Sequence, residues 1–139
     1  MEQHTTVLVV DDEQDIVDLM RDFLEAEGYD VLTASDAREA LDQLERNAVD
    51  CLLLDVMMPG QSGFDLLREI RERGDIPVLF LSAKQEDRDK IRGLALGADD
   101  YIVKSATPTE VVQRVKAVMR RYRRGEPQAQ APQLKFGRL

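Results

Sequence analysis

The feature that most constrains this chain is a fivefold alternation of short apolar runs with segments of helical period. The runs are Thr6–Val10, Tyr29–Ala34, Cys51–Leu54, Ile76–Leu81 and Tyr101–Val103. Each is β-branched or almost continuously apolar, as suits a strand covered on both faces in a parallel sheet. Between them, apolar residues recur at spacings of three and four. The sets are Ile16, Leu19, Met20, Phe23 and Leu24; Ala37, Ala40, Leu41 and Leu44; Phe64, Leu67 and Ile70; Ile91, Leu94 and Ala95; and Val111, Val112, Val115, Val118 and Met119. Gly28, Gly74 and Gly97 stand where helices should stop. Ser35 and Asp36 offer a start for the second helix, and Thr107-Pro108-Thr109-Glu110 reads as a capping box with proline at the first helical position. Connections of this length force parallel strands, right-handed crossovers and helices on both faces. The expected architecture is a doubly wound α/β sandwich of five βα units.

Composition narrows the class further. The chain has 139 residues, enough for one domain with a sizeable core. Its longest apolar runs are four residues, as in Val7–Val10 and Cys51–Leu54, far below the roughly 20 needed to cross a membrane. Residues 1–6 lack a secretory pattern, and the single Cys51 excludes an intrachain disulfide. Both fit a cytoplasmic protein. One histidine, His4, leaves no ligand set for zinc. The net charge of −8 makes the domain a poor nucleic-acid binder by itself, the run Arg120–Arg124 excepted. That run complements the dipole at a helix C-terminus. Residues 125–133 have linker composition, and Leu134–Leu139 alternates as a new strand would. Residues 1–124 are therefore expected to form the domain, and 125–139 a linker and the start of a truncated C-terminal domain.

Chemistry gathers at the strand ends. Asp11 and Asp12 follow the first strand, Asp55 the third, Ser82 the fourth and Lys104 the fifth. Strand order 2-1-3-4-5 would bring these ends side by side, at the place where open α/β sheets bind ligands. Asp55 alone would read as a helix-capping acid; its matching partners change that reading. Three crowded carboxylates repel unless a cation neutralises them, and hard oxygen donors suit Mg²⁺. A lysine and a hydroxyl in the same cleft would bind the oxygens of an anion. Together these residues make an inventory for phosphoryl transfer.

Four motifs occur in order at the ends of these strands. They are Val-Val-Asp11-Asp12-Glu13, Leu-Asp55-Val-Met-Met-Pro59-Gly60, Leu81-Ser82-Ala83 and Gly97-Ala-Asp-Asp-Tyr101-Ile-Val-Lys104. On them the chain resembles a two-component response-regulator receiver domain over residues 6–124. The resemblance implies a flavodoxin-like fold, with Asp55 taking a phosphoryl group from a phosphohistidine on a sensor histidine kinase. It implies Mg²⁺ held by Asp11, Asp12, Asp55 and the backbone carbonyl of Met57. Ser82 and Lys104 would bind the phosphoryl oxygens, with Ser82 and Tyr101 as the switch pair. Such a chain is a signalling switch that catalyses only its own phosphorylation and dephosphorylation. The Gly-Ala-Asp-Asp-Tyr run, the arginine-rich helix end and the Leu134–Leu139 tail are similar, more narrowly, to the OmpR/PhoB subfamily. There a winged-helix DNA-binding domain comes after the linker, so DNA would be met only through that effector. Active receivers of the subfamily pair through helix four, strand five and helix five. Lys90, Asp99, Asp100, Glu110, Arg114 and Arg121 match charges of that homodimer interface.

One departure stands out. The family commonly places proline and an aromatic residue after the lysine, where this chain has Ser105 and Ala106. A cis bond before a non-proline residue costs about 2.5–4 kcal/mol, so Lys104–Ser105 is expected to be trans. The loop should then take another path and couple Lys104 weakly to Asp55. An atypical receiver acting as a constitutive interaction module is accordingly the alternative. An aspartyl-phosphate phosphohydrolase would want a second acid where Met57 stands, and a dinucleotide-binding protein would want glycines where Asp11–Glu13 stand.

Overall fold

The structure is a computed structural model that describes residues 4–123. Five strands and five helices alternate: β1 (Thr6–Val10), α1 (Gln14–Ala26), β2 (Asp30–Ala34), α2 (Ala37–Arg46), β3 (Cys51–Leu54), α3 (Gly63–Arg71), β4 (Val78–Ser82), α4 (Asp87–Ala95), β5 (Asp100–Val103) and α5 (Pro108–Arg123). The strands form one parallel sheet in the order β2-β1-β3-β4-β5. This is the expected doubly wound, flavodoxin-like arrangement.

The continuous apolar runs are explained by a core on each face of the sheet. In β1, Val7 and Val9 face α1 and α5, while Leu8 and Val10 face the α2 and α3 side, following the two-residue period of a strand. Leu53, Leu79 and Leu81 join the first core; Leu52, Leu54, Val78 and Phe80 join the second. All five apolar positions named for α5 are buried.

Three local readings are corrected. On α1 the buried stripe is Val17, Met20 and Leu24, whereas Leu19 and Phe23 are 41% and 39% exposed. Those two lie one position before Met20 and Leu24, about 100° around the helix and off the sheet. β4 starts at Val78 rather than Ile76, because Pro77 has no N–H for the ladder and contributes only its carbonyl, to Leu52 N at 2.9 Å. On α4, Ile91 and Leu94 are 66% and 49% exposed. The helix instead meets the sheet through Gly93, where a built Cβ would lie 3.0 Å from both the Phe80 and Tyr101 rings.

Side chains start the helices as their types require. Asp36 accepts from Glu39 N at 2.8 Å, and Glu39 returns the contact by accepting from Ser35 N at 2.8 Å. Ser62 caps α3 by accepting from Asp65 N at 3.2 Å. Only half of the box at α5 forms. Thr107 accepts from Glu110 N at 3.1 Å, but the Glu110 carboxylate turns to Arg114, 2.9 Å away.

Candidate functional site

The site is built by the sheet itself. Just past each strand end, one more backbone hydrogen bond reaches to the last residue of the neighbouring strand. Asp11 N donates to Ala34 O at 3.1 Å, Asp55 N to Val10 O at 2.9 Å, and Lys104 N to Ser82 O at 2.8 Å. Asp11, Asp55 and Lys104 are thus fixed at their backbones before their side chains make any contact. Asp11 and Asp55 are buried and Asp12 is exposed, yet one oxygen of each lies within 4.8 Å of the others. Met57 N donates to Asp55 Oδ1 at 3.3 Å, which keeps that peptide against the cluster.

Electrostatics follow from burial. Desolvation, reinforced by the charge of Asp11 and opposed by Lys104, pushes the Asp55 carboxyl up to about 6. Lys104 Nζ lies 3.0 Å from Asp11 Oδ2, 2.5 Å from Glu13 Oε1 and 3.3 Å from Asp55 Oδ2. Burial works to lower its pKa, but hydrogen bonds to Glu13 and Asp11 and the Asp55 charge outweigh this and hold the ammonium above its ordinary value. Acidic side chains outnumber the one lysine among them. Three carboxylate oxygens in mutual reach, without nitrogen or sulfur donors, fit a hard divalent cation such as Mg²⁺.

The other expected residues separate into those the fold brings in and those it does not. Ser82 is fully buried at the end of β4, but its hydroxyl accepts from Lys84 N at 3.1 Å and makes no hydrogen bond to Asp55. Tyr101 points inward, its ring 5.7 Å from that of Phe80 and its hydroxyl donating to Lys84 O at 2.8 Å. Burial raises its pKa, partly offset by a hydrogen bond with Ser82. Lys84 therefore links the serine and the tyrosine. A cleft of about 540 Å³ opens beside Asp12 and Met57, with Phe64 in its wall and Lys84 and Arg92 at its edge. The Arg92 guanidinium lies 4.5 Å over the Phe64 ring.

The Lys104–Ser105 bond is trans, since no peptide among the described residues is cis. The trans path leaves Lys104 at the acid cluster in the unmodified chain; its coupling to a phosphorylated Asp55 is a separate matter, tested by dimerisation. The lysine stands in the cluster, 3.3 Å from Asp55. Ala106 N donates to Val103 O at 2.9 Å, closing the turn, and Ala106 packs half-buried on the core.

Of the six charges matched to a dimer interface, Asp99 is misplaced by that reading. Its side chain is only 2% exposed and turns inward to accept from Val78 N at 2.9 Å and Tyr122 Oη at 3.2 Å, with Arg71 at 3.4 Å. Asp100 and Glu110 both pair with Arg114 of the same chain, at 3.3 Å and 2.9 Å. Arg121 reaches the Asp99 carbonyl at 3.5 Å, and Lys90 lies half-buried on α4.

Sequence reasoning misses three contributors. Glu13 stands in the first motif, with nothing there to mark it as a partner of Lys104. Gly63 has no role assigned, yet a Cβ there would lie 2.1 Å from Asp55 O, while its N–H donates to Val56 O at 2.8 Å. Arg71 is not singled out, and it donates to Gly97 O and Ile76 O as well as pairing with Asp99. Nothing local marks it, because its partners lie up to 28 residues away.

With this geometry in place, comparison with known proteins decides the family. The family model described as response regulator receiver domain matches residues 7–116. The chain belongs to that family. Among curated relatives it is 51% identical over 118 residues to the regulatory protein VanRc of Enterococcus gallinarum, covering 85% of this chain and 51% of the relative. It is 49% identical over 116 residues to the alkaline phosphatase synthesis transcriptional regulatory protein PhoP of Bacillus subtilis, covering 83% of this chain and 48% of the relative. The receiver thus spans about half the length of these relatives, whose names agree with the narrower resemblance to the OmpR/PhoB subfamily. Among solved structures, the Francisella response regulator 1452 receiver domain superposes with a TM-score of 0.81 at 35% identity, over 86% of this chain and 99% of that one. The BeF3-activated DrrB receiver domain gives 0.79 at 29% identity, over 86% and 100%. Among the described residues no helix is long and apolar enough to cross a membrane.

Proposed function

We propose that this receiver accepts a phosphoryl group on Asp55 from the phosphohistidine of a sensor histidine kinase, in a Mg²⁺-dependent reaction. The observation that carries the reading is a buried carboxylate between two further acids and an ammonium, just past the carboxyl ends of β1, β3 and β5. An Asp55 oxygen forms a bond to phosphorus as the phosphorus–nitrogen bond breaks, and the imidazole leaves with the electron pair and takes up a proton. Asp11, Asp12 and Asp55, with the carbonyl of Met57, would hold the Mg²⁺, which supplies charge neutralisation for the transferring oxygens. Lys104 sits where it can donate to the same oxygens. Ser82 must turn from Lys84 to reach them, and Tyr101 already occupies the inward position beside it.

The output is a change in pairing between receivers that drives an effector domain. Exposed Ile91 and Leu94 on α4 supply apolar surface, with Lys90, Asp100, Glu110, Arg114 and Arg121 around it. Asp99 is left out of that set. Residues 125–139, outside the described residues apart from their sequence, would lead to a DNA-binding effector, as the doubled length of the transcriptional relatives supports. The constitutive-module alternative would be supported by phosphorylation that leaves dimerisation unchanged.

Acetyl phosphate with Mg²⁺ should add one phosphoryl group by intact mass. Asp55→Asn should abolish the addition and Asp12→Ala reduce it severely; labelling of Asp55→Asn at the wild-type level would overturn the assignment. Arg114→Glu should lower dimerisation of the phosphorylated chain in sedimentation.

A further inference from the structure

We propose that Glu13 is a latch on Lys104, holding the ammonium until a phosphoryl group on Asp55 displaces it. The inference rests on the phosphoryl-acceptor reading above and adds a positioning residue to it. Glu13 occupies the N-cap position of α1 but makes no side-chain cap, so its carboxylate is not committed to the helix. It reaches instead across to the end of β5, a separation of 91 residues, and accepts from Lys104 Nζ at 2.5 Å. Asp55 Oδ2 is a second acceptor, at 3.3 Å, and Asp11 Oδ2 makes an ion pair with the ammonium at 3.0 Å. An ammonium has three N–H donors, and three carboxylates crowd around this one. Donation to a phosphoryl oxygen therefore requires one of these contacts to be given up.

The three are not equally easy to release. Asp11 and Asp55 have side chains 3% and 4% exposed, so either would be left as a buried anion. Glu13 is 60% exposed and would simply be rehydrated. Glu13 lies outside the trio of mutually close acids, so its charge acts on Lys104 and not as a member of that cation-binding group. The trio gathers negative charge for the cation, while the fourth acid restrains the one cation the protein supplies.

The test uses the full chain with Mg²⁺ and beryllofluoride, a stable mimic of the phosphoryl group, with affinity measured by titration calorimetry. Glu13→Gln should tighten beryllofluoride binding by about threefold to tenfold, the size of releasing one exposed charge-assisted hydrogen bond. Glu13→Asp, shorter by one methylene, should fall between the two. Removing any negative charge near an anion site would tighten binding, so the deciding arm is a double-mutant cycle with Lys104→Met. In the Lys104→Met background, Glu13→Gln should change the affinity by less than about twofold if the glutamate acts through the lysine. Unchanged or weaker binding in Glu13→Gln, or full tightening retained without Lys104, overturns the latch while leaving the phosphoryl-acceptor reading standing. A wild-type chain that binds no beryllofluoride in Mg²⁺ defeats both.

Discussion

Gly63→Ala tests how the fold holds Asp55 in place. Gly63 opens α3 directly against the end of β3, and its N–H donates to Val56 O at 2.8 Å. A methyl group there would sit 2.1 Å from Asp55 O and 2.9 Å from both Asp55 C and Val56 Cα. Ordinary contact begins near 3.4 Å, so about 1.3 Å must open, and every atom in the way is backbone. Either α3 backs off the sheet or the Asp55 peptide gives way. Overpacking of this kind costs about 1–3 kcal/mol, which for a domain of this size lowers Tm by roughly 5–15 °C. Displacing the acceptor by about 1 Å would also slow phosphorylation by on the order of 10²-fold. Urea unfolding followed by circular dichroism reads the first effect, and the acetyl phosphate labelling rate reads the second. Gly74→Ala is the control, because nothing lies within 4 Å of a Cβ there and its φ is not positive. It should be neutral or stabilise by about 0.4–1 kcal/mol. If Gly63→Ala unfolds within about 0.5 kcal/mol of wild type and labels at the wild-type rate, the close approach does not position Asp55.

Asp55→Asn should stabilise the metal-free chain, and its pH dependence has a fixed sign. Because the folded carboxyl is raised from 3.8 to about 6, folding favours its protonated form; that contribution is complete below pH 4 and lost as pH rises through about 6. The variant's stability advantage in EDTA should therefore be absent near pH 4 and full, about 3 kcal/mol, above pH 7; a constant advantage would contradict the assigned cause. Arg71→Met should cost about 3–5 kcal/mol in urea unfolding, since it strands the buried Asp99 carboxylate, and adding Asp99→Asn should restore part of that loss. Equal stability of single and double variants would show that the pair is not coupled.

The elements are legible because each level of the sequence points the same way. Continuous apolar runs have no polar face to offer, so they have to be covered on both sides, and the motifs at their ends then fall together by topology. The chemistry at Asp11, Asp12, Asp55 and Lys104 is legible for the same reason. What fails is the choice among nearby apolar positions. The apolar residues of α1 contain both Val17–Met20–Leu24 and Leu19–Phe23, and only packing against β1 and α5 selects between them. Asp99 is unreadable for a different reason. Next to Asp100 in sequence, the two look alike, but β5 begins between them and turns Asp99 under the sheet to Val78 and Arg71 while Asp100 faces Arg114. Long-range partners such as Arg71 leave no local signal at all.

The loop after β5 separates two roles that the sequence merges. If proline after the lysine were what aims its side chain at Asp55, Ser105 and Ala106 would leave a poorly aimed lysine. In the structure the aim is set earlier, where Lys104 N–H extends the ladder to Ser82 O, and later, where the ammonium meets three carboxylates. Neither constraint involves Ser105 or Ala106, and Thr107 still fixes where α5 begins. What the departure does alter is bulk, because Ala106 covers less of the core edge than an aromatic residue would. Ser105→Pro/Ala106→Phe is therefore expected to change Mg²⁺-dependent labelling by less than about threefold, a shift under 1 kcal/mol. Any larger effect should appear in Tm or in dimerisation, through the surface beside α5. A tenfold or greater rise in labelling, with Tm unchanged, would show instead that the native loop misdirects Lys104 and that proline is needed to aim it.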